Sequence, residues 1–353
     1  MKAEIAVTGV CVLSSAGETL SVLCKQSIAE NEIALQIDLQ TYERELSAVN
    51  TGAHELYRIQ KLLLVAFLKA SKMAGVSSSN VLSEKIGVFL GNSYGLEGFK
   101  SEFFRLYKKS DPDLTSPTLF PFTTANALAS WLAIQIEAKG PNLTFVSGCT
   151  SSSQAILAAC DALVSNECEV AFVGGVNLVN HDFHDVLSAS GFRYESVGML
   201  VLEKQYEKVS KKKQPLAFMK HWQNGMLTQE EVDAIASGKS ITDVNNKKFG
   251  NYKTYPSEVV CLGNNLGESV FTYDKGNFEM SSGHRKIFSL GNAVGNMFDV
   301  AGIMGVVLSI ELLNMPRDAD CHFFDVSGDD ILLLDMDSSG SVVTIVISKN
   351  KHG

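Results

Sequence analysis

Residues 139–163, Lys-Gly-Pro-Asn-Leu-Thr-Phe-Val-Ser-Gly-Cys-Thr-Ser-Ser-Ser-Gln-Ala-Ile-Leu-Ala-Ala-Cys-Asp-Ala-Leu, constrain the fold more than any other stretch of the chain. Leu143 to Val146 is a short β-prone apolar run, Gly148 permits a sharp reversal, and Ser151 to Leu163 carries a helical pattern rich in Ala and Leu. Cys149 sits at the turn between them. A thiol placed there faces the amino end of a helix, where unpaired backbone N–H groups and the macrodipole favour a thiolate. The same donors suit the oxyanion of a thioester under attack. The alternative is a small buried cysteine that merely packs at a tight strand-to-helix crossing.

The rest of the chain supplies layers for such a joint. Ala3 to Leu13 is almost continuously apolar, which predicts a central strand covered on both faces. Residues 18–29 read as helix and 30–53 as irregular. Apolar residues then recur at helical spacing from Leu56 to Ala70 and stop at Gly75. Strands are predicted at Lys85–Leu90, Glu169–Gly175 and 195–204, a loop at Gly91-Asn92-Ser93-Tyr94-Gly95, and a helix at Thr123–Ala138 closed by Gly140-Pro141. After a divide near residue 205 the pattern begins again, with strands at Leu216–His221, Glu258–Leu262 and Lys286–Leu290. A helix starts at Thr228, whose hydroxyl and the following Glu230 and Glu231 suit a helix amino end. Val300–Leu313 is a long apolar helix, and Ile331–Met336 with Val342–Ser348 forms a hairpin around Asp337-Ser338-Ser339-Gly340. Two halves of similar content, 1–205 and 206–353, predict a duplicated α/β unit of layered sheets and helices forming one body.

Composition narrows the function. With 353 residues, 45% hydrophobic, the chain can bury a large core. A net charge of −9 argues against a nucleic-acid surface, and Lys211-Lys212-Lys213 reads as a solvated loop. The seven cysteines form no Cys-x-x-Cys pair, so neither a metal site nor a disulfide framework is expected, and the compartment read from them is the cytoplasm. His181 and His184 could share a helix face but lack a third ligand. No apolar stretch reaches the roughly 18 residues of a membrane span.

The segments Ala6-Val7-Thr8-Gly9-Val10, Lys139-Gly140-Pro141, Ser147-Gly148-Cys149-Thr150-Ser151-Ser152, Val173-Gly174-Gly175-Val176 and Glu195 to Glu203 together resemble the β-ketoacyl synthases of thiolase fold. The second half adds Gly291-Asn292-Ala293-Val294-Gly295-Asn296, followed by Val300-Ala301-Gly302. The resemblance implies an αβαβα thiolase-like architecture, Cys149 at the position of the acyl-accepting nucleophile, and no cofactor. It also implies two histidines that stabilise the enolate formed when a malonyl thioester loses carbon dioxide, a lysine, and a Gly-Phe-Gly-Gly gate. This chain departs from that set. Asn296 stands at the second histidine position, Gly291 at the lysine, the stretch Leu262-Gly263-Asn264-Asn265-Leu266, with Asn264 at the approximate register and no histidine nearby, at the first histidine, and Asp337-Ser338-Ser339-Gly340 at the gate. An amide has no titratable proton near neutral pH. His284 or His54 could be recruited to Cys149 from elsewhere in the chain, but His284, in Ser281-Ser282-Gly283-His284-Arg285-Lys286, reads as an exposed loop histidine ahead of a strand.

The pattern is similar to the chain-length factors of type II polyketide systems, degenerate subunits that pair with an active ketosynthase and shape the tunnel for a carrier-bound chain. It differs from many of them in keeping a cysteine, and in a shorter segment before Glu195, as in bacterial aromatic polyketide and aryl polyene pathways. The implied partners are a ketosynthase and an acyl carrier protein. The strand Leu143, Thr144, Phe145 and Val146 is expected at the shared interface. Phe103, Phe104, Leu119, Phe120, Phe122 and Trp131 are candidates for tunnel or interface lining, with core packing as the alternative for each. Two rival readings are an acyl-transferring or hydrolytic enzyme that uses Cys149 alone, including a stand-alone synthase with an atypical site, and a purely structural partner.

Overall fold

The computed structural model describes residues 5–15, 36–47, 56–77, 80–109, 117, 119–178, 195–204, 214–236, 258–261, 286–289, 298–314, 328–337 and 339–349. In chain order the strands are β1 (Ile5–Ser14), β2 (Ile86–Gly91), β3 (Asn142–Phe145), β4 (Val170–Asn177), β5 (Ser196–Glu203), β6 (Ala217–Met226), β7 (Glu258–Cys261), β8 (Lys286–Ser289), β9 (Asp330–Met336) and β10 (Ser341–Ser348). The helices are α1 (Glu43–Ser47), α2 (Arg58–Ala74), α3 (Glu97–Lys109), α4 (Ala127–Gln135), α5 (Ser151–Val164), α6 (Gln229–Ala236) and α7 (Ala301–Asn314).

The strands form one sheet in the order β3-β2-β4-β5-β1-β6-β10-β9-β7-β8. The first five and the last five follow the same plan, mirrored about the β1–β6 junction. In each set, two parallel pairings are followed by two antiparallel ones. The sets join edge to edge where Ile5–Val7 pairs antiparallel with Ala217–Met219. The duplication predicted from the repeating βα content is thus present in the topology.

Alternation along each strand decides which layer it feeds. On β4, Ala171 and Val173 face an inner core shared with α5 and α7, while Val170, Phe172 and Val176 face an outer core built with α2 and α4. On β1, Ile5, Val7 and Val12 face inward but Cys11 and Leu13 face outward. The switch from odd to even positions comes from a register shift between Val7 and Gly9, a bulge at Thr8 that reverses the side-chain alternation. Gly9 is required there, because a Cβ would overlap the carbonyl oxygen of Ala70 on α2.

Helix α7 is buried around nearly its whole girth, as expected of a central-layer helix. It crosses α5 closely. The N–H of Gly302 donates to Ser152 Oγ at 3.0 Å, and a Cβ on Gly302 would overlap Ser153 Oγ.

Several boundaries differ from the sequence reading. The helix expected over Thr123–Ala138 shortens to α4, because Thr124 is extended (φ −100°, ψ 137°) and Glu137 takes φ 56°. Within the stretch expected to be irregular, Asp38 accepts from Gln40 N at 2.9 Å and starts a turn that runs into α1, burying Tyr42 and Leu46. Helix α6 begins as read, since Thr228 and Glu231 exchange hydrogen bonds as a capping box. The helix read at 18–29 lies outside the described residues.

Candidate active site

The site is assembled where β3 ends. Ser147 leaves the strand with φ −132° and ψ 36°, Gly148 reverses the chain at φ 56°, and a single 3-10 turn, Gly148–Thr150, delivers Cys149 directly ahead of α5. Glycine supplies the left-handed conformation that a side chain would resist. Hydroxyl groups hold the turn in shape. Ser151 Oγ accepts from Ser147 N at 3.0 Å and donates to Gly148 O at 2.6 Å. Ser93 Oγ, from the loop after β2, accepts from Gly148 N at 3.0 Å and lies 2.8 Å from Ser151 Oγ. Cys149 is 6% exposed and packs with Phe298 and Tyr94, whose rings meet edge to face at 5.2 Å. The geometry is the one read from the sequence, and Cys149 opens into a cleft of about 460 Å³ rather than into solid core.

The far wall comes from the β9–β10 hairpin. Ile331 and Leu333 face the inner core, and the same alternation carries Asp335 and Asp337 to the α5 side. Asp335 accepts from Ser153 Oγ at 2.5 Å, two residues into α5 beyond its first. Asp337 reaches the cleft itself. Its Oδ1 accepts from Ser339 N at 2.9 Å, Ser339 Oγ at 2.5 Å and Ser341 N at 3.2 Å. Its Oδ2 lies 3.6 Å from where a Cβ on Gly148 would sit. Ser341 Oγ bridges back to Thr150 Oγ1 at 3.1 Å and accepts from Gln154 Nε2 at 3.0 Å. The cleft is lined by Tyr94, Ser147, Gly148, Cys149, Gln154, Met226, Phe298, Asp337, Ser339 and Ser341. None of these described residues is a lysine, arginine or histidine.

A third carboxyl stands behind the cleft. Asp299, just before α7, is buried and accepts from Ser93 N at 2.7 Å and Tyr94 N at 2.9 Å, tying α7 to the loop after β2. Burial pushes its pKa up to about 6, against the lowering effect of the Tyr94, Ser151 and Ser93 hydrogen bonds. Burial likewise pushes Asp335 up to about 7, opposed by Ser153 and assisted by the charge of Asp337. The Tyr94 phenol is raised by burial and then by the charges of Cys149, Asp299 and Asp337. It therefore stays a protonated donor at neutral pH.

The residues singled out from the sequence fall into three groups. Cys149 and the Asp337–Gly340 turn come together across the cleft. Asn264 and Asn296 lie outside the described residues, as do His54, His181, His184 and His284. The interface candidates are not among the residues that line the cleft. Among the described residues, strand β3 ends the sheet and pairs with β2 alone, Leu143 is 45% and Val146 59% exposed, Phe145 packs on the inner core, and Thr144 Oγ1 is buried without a hydrogen-bond partner. Phe120 and Phe104 are exposed and Phe103 packs on both, at 5.8 Å from each ring centroid. Phe122 is drawn into a cluster with Tyr57 and Phe99, and Trp131 packs on the outer core.

Sequence reading missed the roles of Tyr94, Asp299 and Asp335. A signal existed for Asp335, an acid at an inward position of the apolar run Ile331-Leu332-Leu333-Leu334. Asp299 gave no such signal, because its partners are backbone N–H groups far away in sequence.

Comparison with known proteins agrees with this geometry. Residues 18–192 match the family model described as the N-terminal domain of beta-ketoacyl synthase. Among curated proteins, the highly reducing polyketide synthase dmxL2 of Cryptosporiopsis sp. is 30% identical over 134 residues, 38% of this chain and 5% of that protein. Polyketide synthase 37 of Dictyostelium discoideum is 28% identical over 123 residues, 34% of this chain and 4% of that protein. The match thus spans only a small part of those relatives. Among solved structures, a type II polyketide synthase acyl-carrier protein in complex with its ketosynthase bound to the hexaketide (AntDE:AntF) superposes with a TM-score of 0.73 at 15% identity, covering 98% of this chain and 99% of that one. The ishigamide ketosynthase/chain length factor gives 0.72 at 14% identity, covering 99% and 100%. The chain has the thiolase-like ketosynthase fold, and within it residues 18–192 carry the match to the beta-ketoacyl synthase N-terminal domain.

Proposed function

We propose that this chain is a non-condensing chain-length factor, a subunit that pairs with a complete ketosynthase and shapes the tunnel for a polyketide or polyene chain held on an acyl carrier protein. The observation that carries the reading is the turn facing Cys149. Condensation needs donors aimed at the oxygen on which negative charge builds, and one such donor is worth about a hundredfold to a thousandfold in rate. Here the N–H groups of Ser339 and Ser341 are turned onto Asp337, whose carboxylate then faces the same cleft. The amides Asn264 and Asn296 at the positions where the resemblance implies imidazoles support the same conclusion.

The open edge of β3 supports the partner. Leu143 and Val146 present apolar surface on a strand with no further strand beside it among the described residues, an arrangement that proteins normally cover. The test is co-expression with a complete ketosynthase and analysis of product length. The reading expects a one-to-one complex whose products change length when Phe120 or Val146 is enlarged or charged. A chain that elutes alone, and whose presence leaves the ketosynthase's product unchanged, would overturn it.

A further inference from the structure

Asp337 is held too firmly and placed too near the nucleophile turn to be an incidental surface acid. The residue is 8% exposed. Three donors converge on Oδ1, fixing the plane of the carboxylate, while Oδ2 has no hydrogen-bond partner among the described residues and points at the Gly148 turn. The other titratable groups around the cleft do not offset it. Tyr94 is a neutral donor near neutral pH, Asp299 behind the Ser93–Tyr94 backbone adds further negative charge above its pKa of about 6, and Glu97 lies beyond Tyr94.

We propose that Asp337 is a specificity-determining residue that makes the Cys149 cleft select uncharged acyl groups and reject acyl groups carrying a carboxylate, malonyl above all. A malonyl thioester seated on Cys149 would bring its carboxylate into a partly wet cleft that already holds a fixed carboxylate and, among the described residues, no cation to neutralise either one. An uncharged acyl chain meets no such opposition, and Tyr94, Gln154 and Ser147 supply neutral polar contacts. This inference rests on the reading that the cleft receives thioesters, but not on the heterodimer. Its failure would leave the partner subunit standing.

The test compares two thiol reagents that differ in charge, neutral iodoacetamide and anionic iodoacetate, on the purified full chain. Rates are read at the Cys149-bearing peptide by mass spectrometry. Each reagent forms a carbon–sulfur bond and releases iodide, so the ratio of the two rates cancels the intrinsic reactivity of the thiol. With glutathione as the reference, the iodoacetate-to-iodoacetamide ratio at Cys149 is expected to be lower by about tenfold, the size of an unscreened like-charge contact across a partly wet cleft. Asp337→Asn and Asp337→Ser are each expected to bring the ratio back toward that of glutathione. A wild-type ratio equal to that of glutathione overturns the proposal, and this arm holds even where a variant does not fold. An unchanged ratio in either folded variant also overturns it. So does a Cys149 that reacts with neither reagent, since a site open to uncharged acyl groups must admit iodoacetamide.

Discussion

Two turns face each other across one cleft and present different groups to it. The turn at Gly148–Thr150 is a strand-to-helix joint whose shape is held by hydroxyls, with Cys149 at the mouth of α5. The turn at Asp337–Ser341 folds its own donors onto a carboxylate and offers that carboxylate to the cleft. The first spends its Ser147 and Gly148 N–H groups on hydroxyl oxygens and presents a thiol to the cleft, whereas the second spends its own on a carboxylate and presents negative charge. The difference teaches that the charge facing the Cys149 cleft is set by one hairpin, Asp337–Ser341, and not by the strand-to-helix joint itself.

The comparison is broken most severely at the crossing of α5 and α7, on which the first turn depends. Gly302→Ala forces a methyl into Ser153 backbone and side chain, the Ser153 N being 2.6 Å away. A loss of about 3 kcal/mol of unfolding free energy is expected in denaturant titrations. A loss under about 1 kcal/mol would mean that the crossing is looser than described.

Next in size is the buried link from the second hairpin to α5. The folded Asp335 carboxyl, near pKa 7, lies above its unfolded value of 3.8. The folded state therefore binds more protons than the unfolded state between those values. The contribution of this group is fully present below about pH 4 and is lost as pH rises through about 7. Asp335→Asn keeps an acceptor for Ser153 and removes the titration. Melting followed from pH 4 to 8 should find the variant flatter, and more stable at pH 8 by about 2 kcal/mol. Parallel curves for the two proteins would refute the assignment.

The turns themselves give effects of the same size or smaller. Gly340 has φ 89° and a Cβ there would lie 2.6 Å from Leu227 O, whereas Gly148 has φ 56° and its nearest neighbour would be 3.6 Å away. Gly340→Ala should cost about 2 kcal/mol and Gly148→Ala about 1 kcal/mol. Equal costs would show that both turns carry the same strain.

Much of this was legible in the sequence, for a physical reason. Strands buried on both faces, such as Val170–Gly174 and Val197–Leu202, print as unbroken apolar runs, and the Ser147-Gly148-Cys149 joint prints as a strand, a glycine and a helix. Strand β3 was expected at a shared interface through the family resemblance; among the described strands it stands at one end of the sheet. The bulge at Thr8 left no apolar signature, because it shifts register without changing composition. The carboxylate web was equally hidden. Asp337 reads as an ordinary turn residue, and only the contact of β9 and β10 with the Cys149 turn gives it a role.

The most direct measurement of the central claim gives the isolated protein a malonyl-loaded carrier and an acyl-loaded carrier and follows the carrier-bound chains by mass spectrometry. The account predicts no chain longer than the primer until a complete ketosynthase is added. Extension by this protein alone, at an ordinary ketosynthase turnover rate, would contradict it.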